Sequence, residues 1–169
     1  QYETIRPEVD AAVKGVMESC HFIGGPEITA LEQEVARYSQ VSHAIACASG
    51  TDAILLALWA LGIGPGDEVL SPAYTFFATA GTIANNGATP VFVDVDPRTR
   101  NIDLDQVEKA ITPKTRAVIP VYLAGLPVDL DRLYGIAKKH GLRVVEDAAQ
   151  AFGSSWKGTH IGARGLLAL

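Results

Sequence analysis

The sequence predicts an α/β fold with a mostly parallel β-sheet flanked by helices. Short apolar segments rich in β-branched residues alternate with longer amphipathic segments, an order typical of strand–helix–strand crossovers. No repeat, low-complexity segment or Ser/Gly-rich linker interrupts this alternation. At 169 residues the chain is long enough to bury one core.

Five segments are predicted to be strands. Each is short, almost continuously apolar and mostly β-branched, as expected for strands covered on both faces. They are residues 44–48, 68–71, 89–93, 117–121 and 142–146. Cys47, in the first segment, is interpreted as a small buried core residue. Residues 153–161 are predicted to form a hairpin in which Lys157 is a solvated turn residue.

The helices are predicted from apolar residues at helical spacing and from capping residues at their ends. Pro26 suits the first position of a helix. Asp103 and Asp129 can cap the helices that follow them, and Gly141 can end the last one. The predicted helices are residues 6–19, 27–38, 51–61, 76–86, 104–111 and 130–140. The apolar run 165–169 has no turn or cap after it, so we expect the protein to continue beyond it.

Composition disfavours several classes of partner. A net charge of -5 argues against nucleic acid, whose binders usually display a basic face. No apolar stretch is long enough to span a membrane, and no signal-peptide pattern is present. Two cysteines are too few for a disulfide framework, so a cytoplasmic, reducing setting is expected. A small anionic ligand remains compatible, because helix N-termini bind phosphate without net positive charge.

The residues that follow the first predicted strand are a candidate phosphate site. Ligands of open parallel sheets bind outside the carboxyl ends of the strands. Gly50 permits close backbone approach, Thr51 offers a hydroxyl, and the helix that starts here supplies unpaired amides. The alternative is a plain N-cap by Ser49 or Thr51. No Gly-x-Gly-x-x-Gly follows this strand, which counts against a nucleotide-binding Rossmann domain.

Two further strand ends carry candidate ligand groups. After residues 68–71, aromatic side chains that include Phe76 could stack on a planar ring, although such residues are more often core. After residues 142–146, Asp147 is a carboxylate in an apolar setting with no Lys or Arg nearby in sequence, which is costly without a cation. The alternative for Asp147 is a cap of the next turn. Together, a phosphate cup, an aromatic platform and a buried acid match the needs of pyridoxal phosphate.

Several sequence blocks resemble the DegT/DnrJ/EryC1/StrS family of sugar aminotransferases, which have the type I aminotransferase fold. The similarity runs along essentially the whole chain in the family's order. The blocks are SGTDA (49–53), LGIGPGDEV (61–69), GATPVFVD (87–94), AITPKTR (110–116) and EDAAQ (146–150). The resemblance implies a division into an N-terminal helix and irregular segment at 1–25 and part of a cofactor-binding large domain at 26–169, without the small domain.

The resemblance also implies roles for individual residues. Gly50, Thr51 and Asp52 would bind the cofactor phosphate, largely through backbone amides. Phe76 would stack on the pyridine ring, Asp147 would pair with the ring nitrogen, and Gln150 would hydrogen-bond the ring hydroxyl. No metal site is implied.

The lysine that binds the cofactor covalently in this family is expected shortly beyond Leu169. The 169-residue chain by itself should therefore be inactive.

The expected activity of the full-length protein is transfer of an amino group from glutamate to a keto group of a nucleotide-linked sugar. A homodimer is implied, with residues 6–26 contributing to its interface. Two alternatives stay open: a sugar dehydratase of the same family, in which histidine replaces the lysine, and a noncatalytic interaction fragment.

Overall fold

The computed structural model describes residues 1–168, and their contacts form two compact units. One unit comprises Gln1–Arg37 and Ser42–Ala46, and the other comprises Tyr38–Val41 and the chain from Cys47 onward. The first unit holds helix α1 (Tyr2–Ser19) and most of helix α2 (Pro26–Tyr38). Neither helix buries any of its described residues. Within this unit the Ala46 amide donates to Glu32 Oε1 over 2.8 Å.

The second unit is built on a five-stranded sheet in which all neighbouring strands are parallel. The strands of the chain are β1 (Glu68–Pro72), β2 (Thr89–Val93), β3 (Thr115–Val118), β4 (Arg143–Asp147), β5 (Ser155–Trp156), β6 (Thr159–His160) and β7 (Leu166–Ala168). The order in the large sheet is β2-β1-β3-β4-β7, and β5 and β6 form the predicted hairpin. The predicted parallel α/β architecture is confirmed.

Helices cover both faces of this sheet. The remaining helices are α3 (Gly50–Ala60), α4 (Phe77–Asn85), α5 (Leu104–Ala110) and α6 (Leu130–His140). Side chains alternate along each strand, so Val69 and Val145 pack with α3 and α4 in one cluster. Leu70 and Val144 pack with α5 and α6 in another. This double burial explains why the strands are apolar at consecutive positions.

The predicted helix ends lie within one residue of those in the structure, except that α1 begins at Tyr2, four residues before the predicted start. Asp103 accepts hydrogen bonds from the amides of the first turn of α5, and Asp129 does the same for α6. Gly141 adopts a left-handed conformation with φ 68° at the end of α6. Lys157 has φ 51° in the hairpin turn and is exposed, which agrees with the predicted turn residue. The run 165–169 contributes β7 alongside β4, and Leu169 lies outside the described residues.

The predicted strand at residues 44–48 is wrong. These residues have no regular secondary structure, and Ile45 is 84% exposed. A strand forms only where a neighbour accepts its hydrogen bonds, and no strand in the described part of the chain pairs with this segment. The buried position expected for Cys47 is wrong for the same reason, since its side chain is exposed.

No helix within residues 1–168 is both long and apolar enough to cross a lipid bilayer.

Candidate functional site

A cavity of about 260 Å³ lies at the carboxyl edge of the sheet. Its wall is formed by the start of α3, the start of α4 and the segments that follow β3 and β4. The lining residues are Gly50, Thr51, Ile54, Thr75, Phe76, Ala78, Thr79, Val121, Tyr122, Leu123, Asp147, Ala149 and Gln150. Five of the six residues that the sequence analysis named as ligand contacts are therefore together; Asp52 is not among the lining residues.

The first turn of α3 offers amide donors to the cavity. Ser49 is the N-cap residue: its Oγ accepts from the Asp52 amide over 3.2 Å and donates to Asp52 Oδ2 over 2.9 Å. The capping alternative is thus correct for Ser49, and it uses the Asp52 amide. The amides of Gly50 and Thr51 have no partner within the helix, because the first turn lacks preceding carbonyls. Together with the positive end of the helix dipole, they form a site suited to an anion.

Asp147 ends β4 and is held from several directions. Its backbone amide donates to Pro120 O and its carbonyl accepts from the Tyr122 amide, each over 3.0 Å. The side chain accepts from Thr79 Oγ1 at Oδ2 over 3.1 Å and from the Ala149 amide at Oδ1 over 3.3 Å. Asp147 is only 8% exposed. Both the position and the direction of this carboxyl group are therefore defined.

Asp147 is a buried acid without a cationic partner in residues 1–168. No ion pair of the described chain involves it. Burial raises the pKa of Asp147, and the hydrogen bonds from Ala149 and Thr79 oppose this rise without cancelling it. A cation bound in the cavity would stabilise the ionised form.

Phe76 and Gln150 line the cavity; Phe76 provides an aromatic ring and Gln150 a polar amide. Phe76 is the N-cap residue of α4 and is 77% exposed, so its ring is accessible to a ligand. Gln150 Oε1 accepts from the Ala124 amide over 2.8 Å. Since the amide oxygen is engaged there, Nε2 is the end of Gln150 that can donate to a ligand. Ala124 presents its amide from a left-handed conformation with φ 55° and ψ 20°.

Two hydroxyl groups of the cavity were missed by the sequence analysis. Thr75 Oγ1 and Thr79 Oγ1 lie 2.9 Å apart, and Thr79 contacts Asp147. Thr75 lies before α4, whose N-cap residue is Phe76, so helical spacing does not explain the contact between the two threonines. Nothing in the sequence indicated that Thr79 meets the end of β4.

Glu146, next to Asp147 in β4, is fully buried. It accepts from the hydroxyl groups of Tyr122 and Tyr134 over 2.8 and 2.5 Å and from the Gly162 amide over 3.2 Å. Burial, followed by the nearby Glu146 charge, raises the pKa of both tyrosines. Three donors satisfy this carboxyl group, so it braces β4 against α6 and the segment before β7.

The donor set fits the chemistry of pyridoxal phosphate. Amides at a helix start suit its phosphate, an accessible aromatic ring suits its planar face, and a buried acid suits its basic ring nitrogen. The Gln150 amide can donate to its ring oxygen. Within residues 1–168, no group of three or more His, Cys, Asp or Glu side chains is arranged to hold a metal ion.

Fold and cavity define an α/β domain of the aminotransferase type, with its ligand site at the carboxyl edge of a parallel sheet. The sequence profile of the DegT/DnrJ/EryC1/StrS aminotransferase family matches residues 3–169. The chain belongs to this family.

Two curated relatives illustrate the match. A pleiotropic regulatory protein from Geobacillus stearothermophilus is 52% identical over 168 residues, which are 99% of this chain and 45% of the relative. A UDP-2-acetamido-2-deoxy-3-oxo-D-glucuronate aminotransferase from Pseudomonas aeruginosa is 49% identical, over 94% of this chain and 44% of the relative. The chain thus spans somewhat less than half the length of these relatives.

Solved structures agree with this assignment. DesV from S. venezuelae, in complex with a ketimine intermediate, superimposes with a TM-score of 0.94 and 48% identity, over 96% of this chain and 44% of DesV. NtdA from Bacillus subtilis, with bound cofactor PMP, superimposes with a TM-score of 0.86 and 38% identity, over 90% of this chain and 35% of NtdA.

Proposed function

We propose that the complete protein transfers an amino group from glutamate to a keto group of a nucleotide-linked sugar, with pyridoxal phosphate as its cofactor. The observation that carries the proposal is Asp147, a buried acid without a cationic partner in the described chain, at a cavity that also contains a helix start. Family membership supports the reaction class. The name of the relative from Pseudomonas aeruginosa supports the substrate class.

Each cavity residue has a distinct task in this proposal. The Gly50 and Thr51 amides and the Thr51 hydroxyl bind the phosphate, and Phe76 lies against the ring face. Asp147 holds a proton on the ring nitrogen, and Gln150 Nε2 donates to the ring oxygen. Bound pyridoxal phosphate supplies the electron sink that transamination needs. Asp52, whose amide and carboxyl group both contact Ser49, supports the phosphate site by holding the Ser49 cap of α3 in place.

The cavity has no lysine among the described residues that line it, so the group that would bind the cofactor covalently is missing there. The chain has six lysines, and none of them is a lining residue. We therefore propose that a polypeptide of these 169 residues alone does not transaminate. The relatives, which are more than twice as long as the matched segment, are consistent with further contributions to a complete site.

Isotope transfer tests the proposed reaction. The complete protein is incubated with L-[¹⁵N]glutamate and a UDP-linked 3-keto sugar, and the sugar product is analysed by mass spectrometry. Appearance of ¹⁵N in the sugar supports the proposal. A product that has lost water and contains no ¹⁵N would indicate the dehydratase instead, and an unchanged sugar with each of several keto sugars would contradict both enzymatic functions.

A further inference from the structure

We propose that Thr79, supported by Thr75, is a positioning residue that orients the Asp147 carboxylate in the cavity and favours its charged form. This inference rests on the proposed function, because the charge of Asp147 matters only toward a basic ring nitrogen. It adds two residues that act on the ligand through another side chain.

The Thr79 hydroxyl contacts two side chains, those of Asp147 and Thr75. Its side chain is on α4 and is 1% exposed, while Asp147 is at the end of β4, 68 positions further along the chain. The Thr79 Oγ1–Asp147 Oδ2 distance is 3.1 Å. A buried hydroxyl that meets a buried carboxylate costs free energy unless each satisfies the other.

The direction of the hydrogen bonds follows from the number of protons. An ionised carboxylate can only accept, so the single Thr79 proton points toward Asp147. Thr79 Oγ1 then has only lone pairs to offer Thr75 Oγ1, 2.9 Å away, and Thr75 must be the donor of that pair. The two hydroxyl groups form a chain that ends on Asp147 and is polarised to favour negative charge there.

A second contact holds the other carboxylate oxygen. Oδ1 accepts from the Ala149 amide over 3.3 Å, so both oxygens of Asp147 have a fixed donor and the carboxylate plane is set. The Thr79 hydroxyl lowers the pKa of Asp147 against the effect of burial. Loss of the Thr79 hydroxyl would leave Asp147 Oδ2 without this donor, and it would also remove the effect that lowers the pKa of Asp147.

The chain contains a matched control. Thr82 is on the same helix, is 4% exposed, and donates to the backbone carbonyls of Ala78 and Thr79 over 2.8 and 3.1 Å. Its hydroxyl therefore contributes to the helix and not to Asp147. Thr79→Val and Thr82→Val each replace one buried hydroxyl by a methyl group, and Thr79→Ser keeps the hydroxyl.

The test compares two ligands in the apo form of the complete protein. One is pyridoxamine phosphate, which forms no covalent bond to lysine, and the other is its analogue with C–H in place of the ring nitrogen. Dissociation constants are measured by calorimetry, and melting temperatures report folding. We expect Thr79→Val to weaken pyridoxamine phosphate binding by about tenfold and to leave the analogue nearly unaffected. Thr79→Ser and Thr82→Val should both resemble the wild type.

Each other outcome has a definite meaning. Equal weakening of both ligands, or no weakening in Thr79→Val, overturns the inference. If Thr79→Val does not fold, Thr75→Val at its half-buried position decides: a selective loss for pyridoxamine phosphate supports the inference, and none overturns it. A wild type that does not distinguish the two ligands overturns the role of Asp147 in the proposed function, and the role of Thr79 with it.

Discussion

Asp147 is a residue whose burial opposes stability and which serves ligand binding in the proposed function. Its burial raises the pKa of Asp147 above the unfolded value of about 4. Such a group contributes stability below its unfolded pKa, and this contribution is lost as the pH rises through the folded pKa. The ionised acid is thus a cost to the apo protein that a bound cation relieves.

A pH series of unfolding free energies tests this cost. We expect Asp147→Asn in the apo protein to gain stability relative to the wild type as the pH rises from about 4 to 7, because asparagine carries no charge. Urea unfolding at several pH values measures the difference. A relative loss of stability by the variant over that range would show that the ionised carboxylate is stabilised by groups other than a ligand.

Gln150 gives a second prediction at this scale. Gln150→Glu keeps an oxygen that can accept from the Ala124 amide but removes the only donor of the side chain. We expect cofactor affinity to fall by about tenfold, with an unchanged melting temperature. Fluorescence titration with pyridoxal phosphate measures the affinity. Unchanged affinity would mean that Gln150 serves only to hold the 123–125 turn.

Whether a cavity residue could be predicted from the sequence depends on how far along the chain its contacts lie. Gly50 and Asp147 line the cavity as expected, because ligand sites of parallel sheets follow strand ends, or segments thought to be strands, and Phe76 was singled out by the family resemblance. Thr79 was missed because its meaning depends on Asp147, a contact between distant parts of the chain. Sequence patterns report which face a residue occupies and not what that face meets.

Among the elements, β4 and α6 are joined by the contact between Glu146 and Tyr134. Tyr134→Phe would leave a buried carboxyl group with one donor fewer, at a cost of about 1–3 kcal/mol in unfolding free energy. Urea unfolding near pH 8 measures this. Tyr74→Phe is the control, because Tyr74 is 48% exposed.

The same contact predicts that the stability difference between the wild type and Tyr134→Phe changes at alkaline pH. Burial and the Glu146 charge raise the pKa of Tyr134 above the unfolded value of about 10, so its contribution to stability is present below that pH and is lost above it. The difference in unfolding free energy between the wild type and Tyr134→Phe should therefore become smaller between about pH 8 and pH 11. A constant deficit across that range would rule out the linkage.

At the level of elements, prediction from sequence succeeded where the signal is local. The start of α6 and its end at Gly141 agree because caps act within a few residues. The strand expected at 44–48 failed because pairing needs a neighbour, which apolar composition cannot provide. The order of the sheet, with β1 between β2 and β3, was likewise not predicted, since it depends on where each crossover returns.

For the whole molecule, the homodimer implied by the family resemblance is a proposal about the complete protein. If it is correct, sedimentation velocity should give twice the monomer mass at the concentrations at which the enzyme is active. An active monomer would contradict it and would mean that one chain supplies all groups of the site.

The central claim is that the cavity at the carboxyl edge is the transamination site and that Asp147 is its essential acid. The most direct measurement compares turnover and cofactor retention in Asp147→Asn and Asp52→Asn of the complete protein. We expect Asp147→Asn to lose at least about a hundredfold in turnover, because removing one member of a buried charge pair costs about 3–5 kcal/mol, while phosphate binding at Gly50 and Thr51 persists. Asp52→Asn should stay close to the wild type, since asparagine can still accept from Ser49. Near-normal turnover in Asp147→Asn would contradict the assignment of the site.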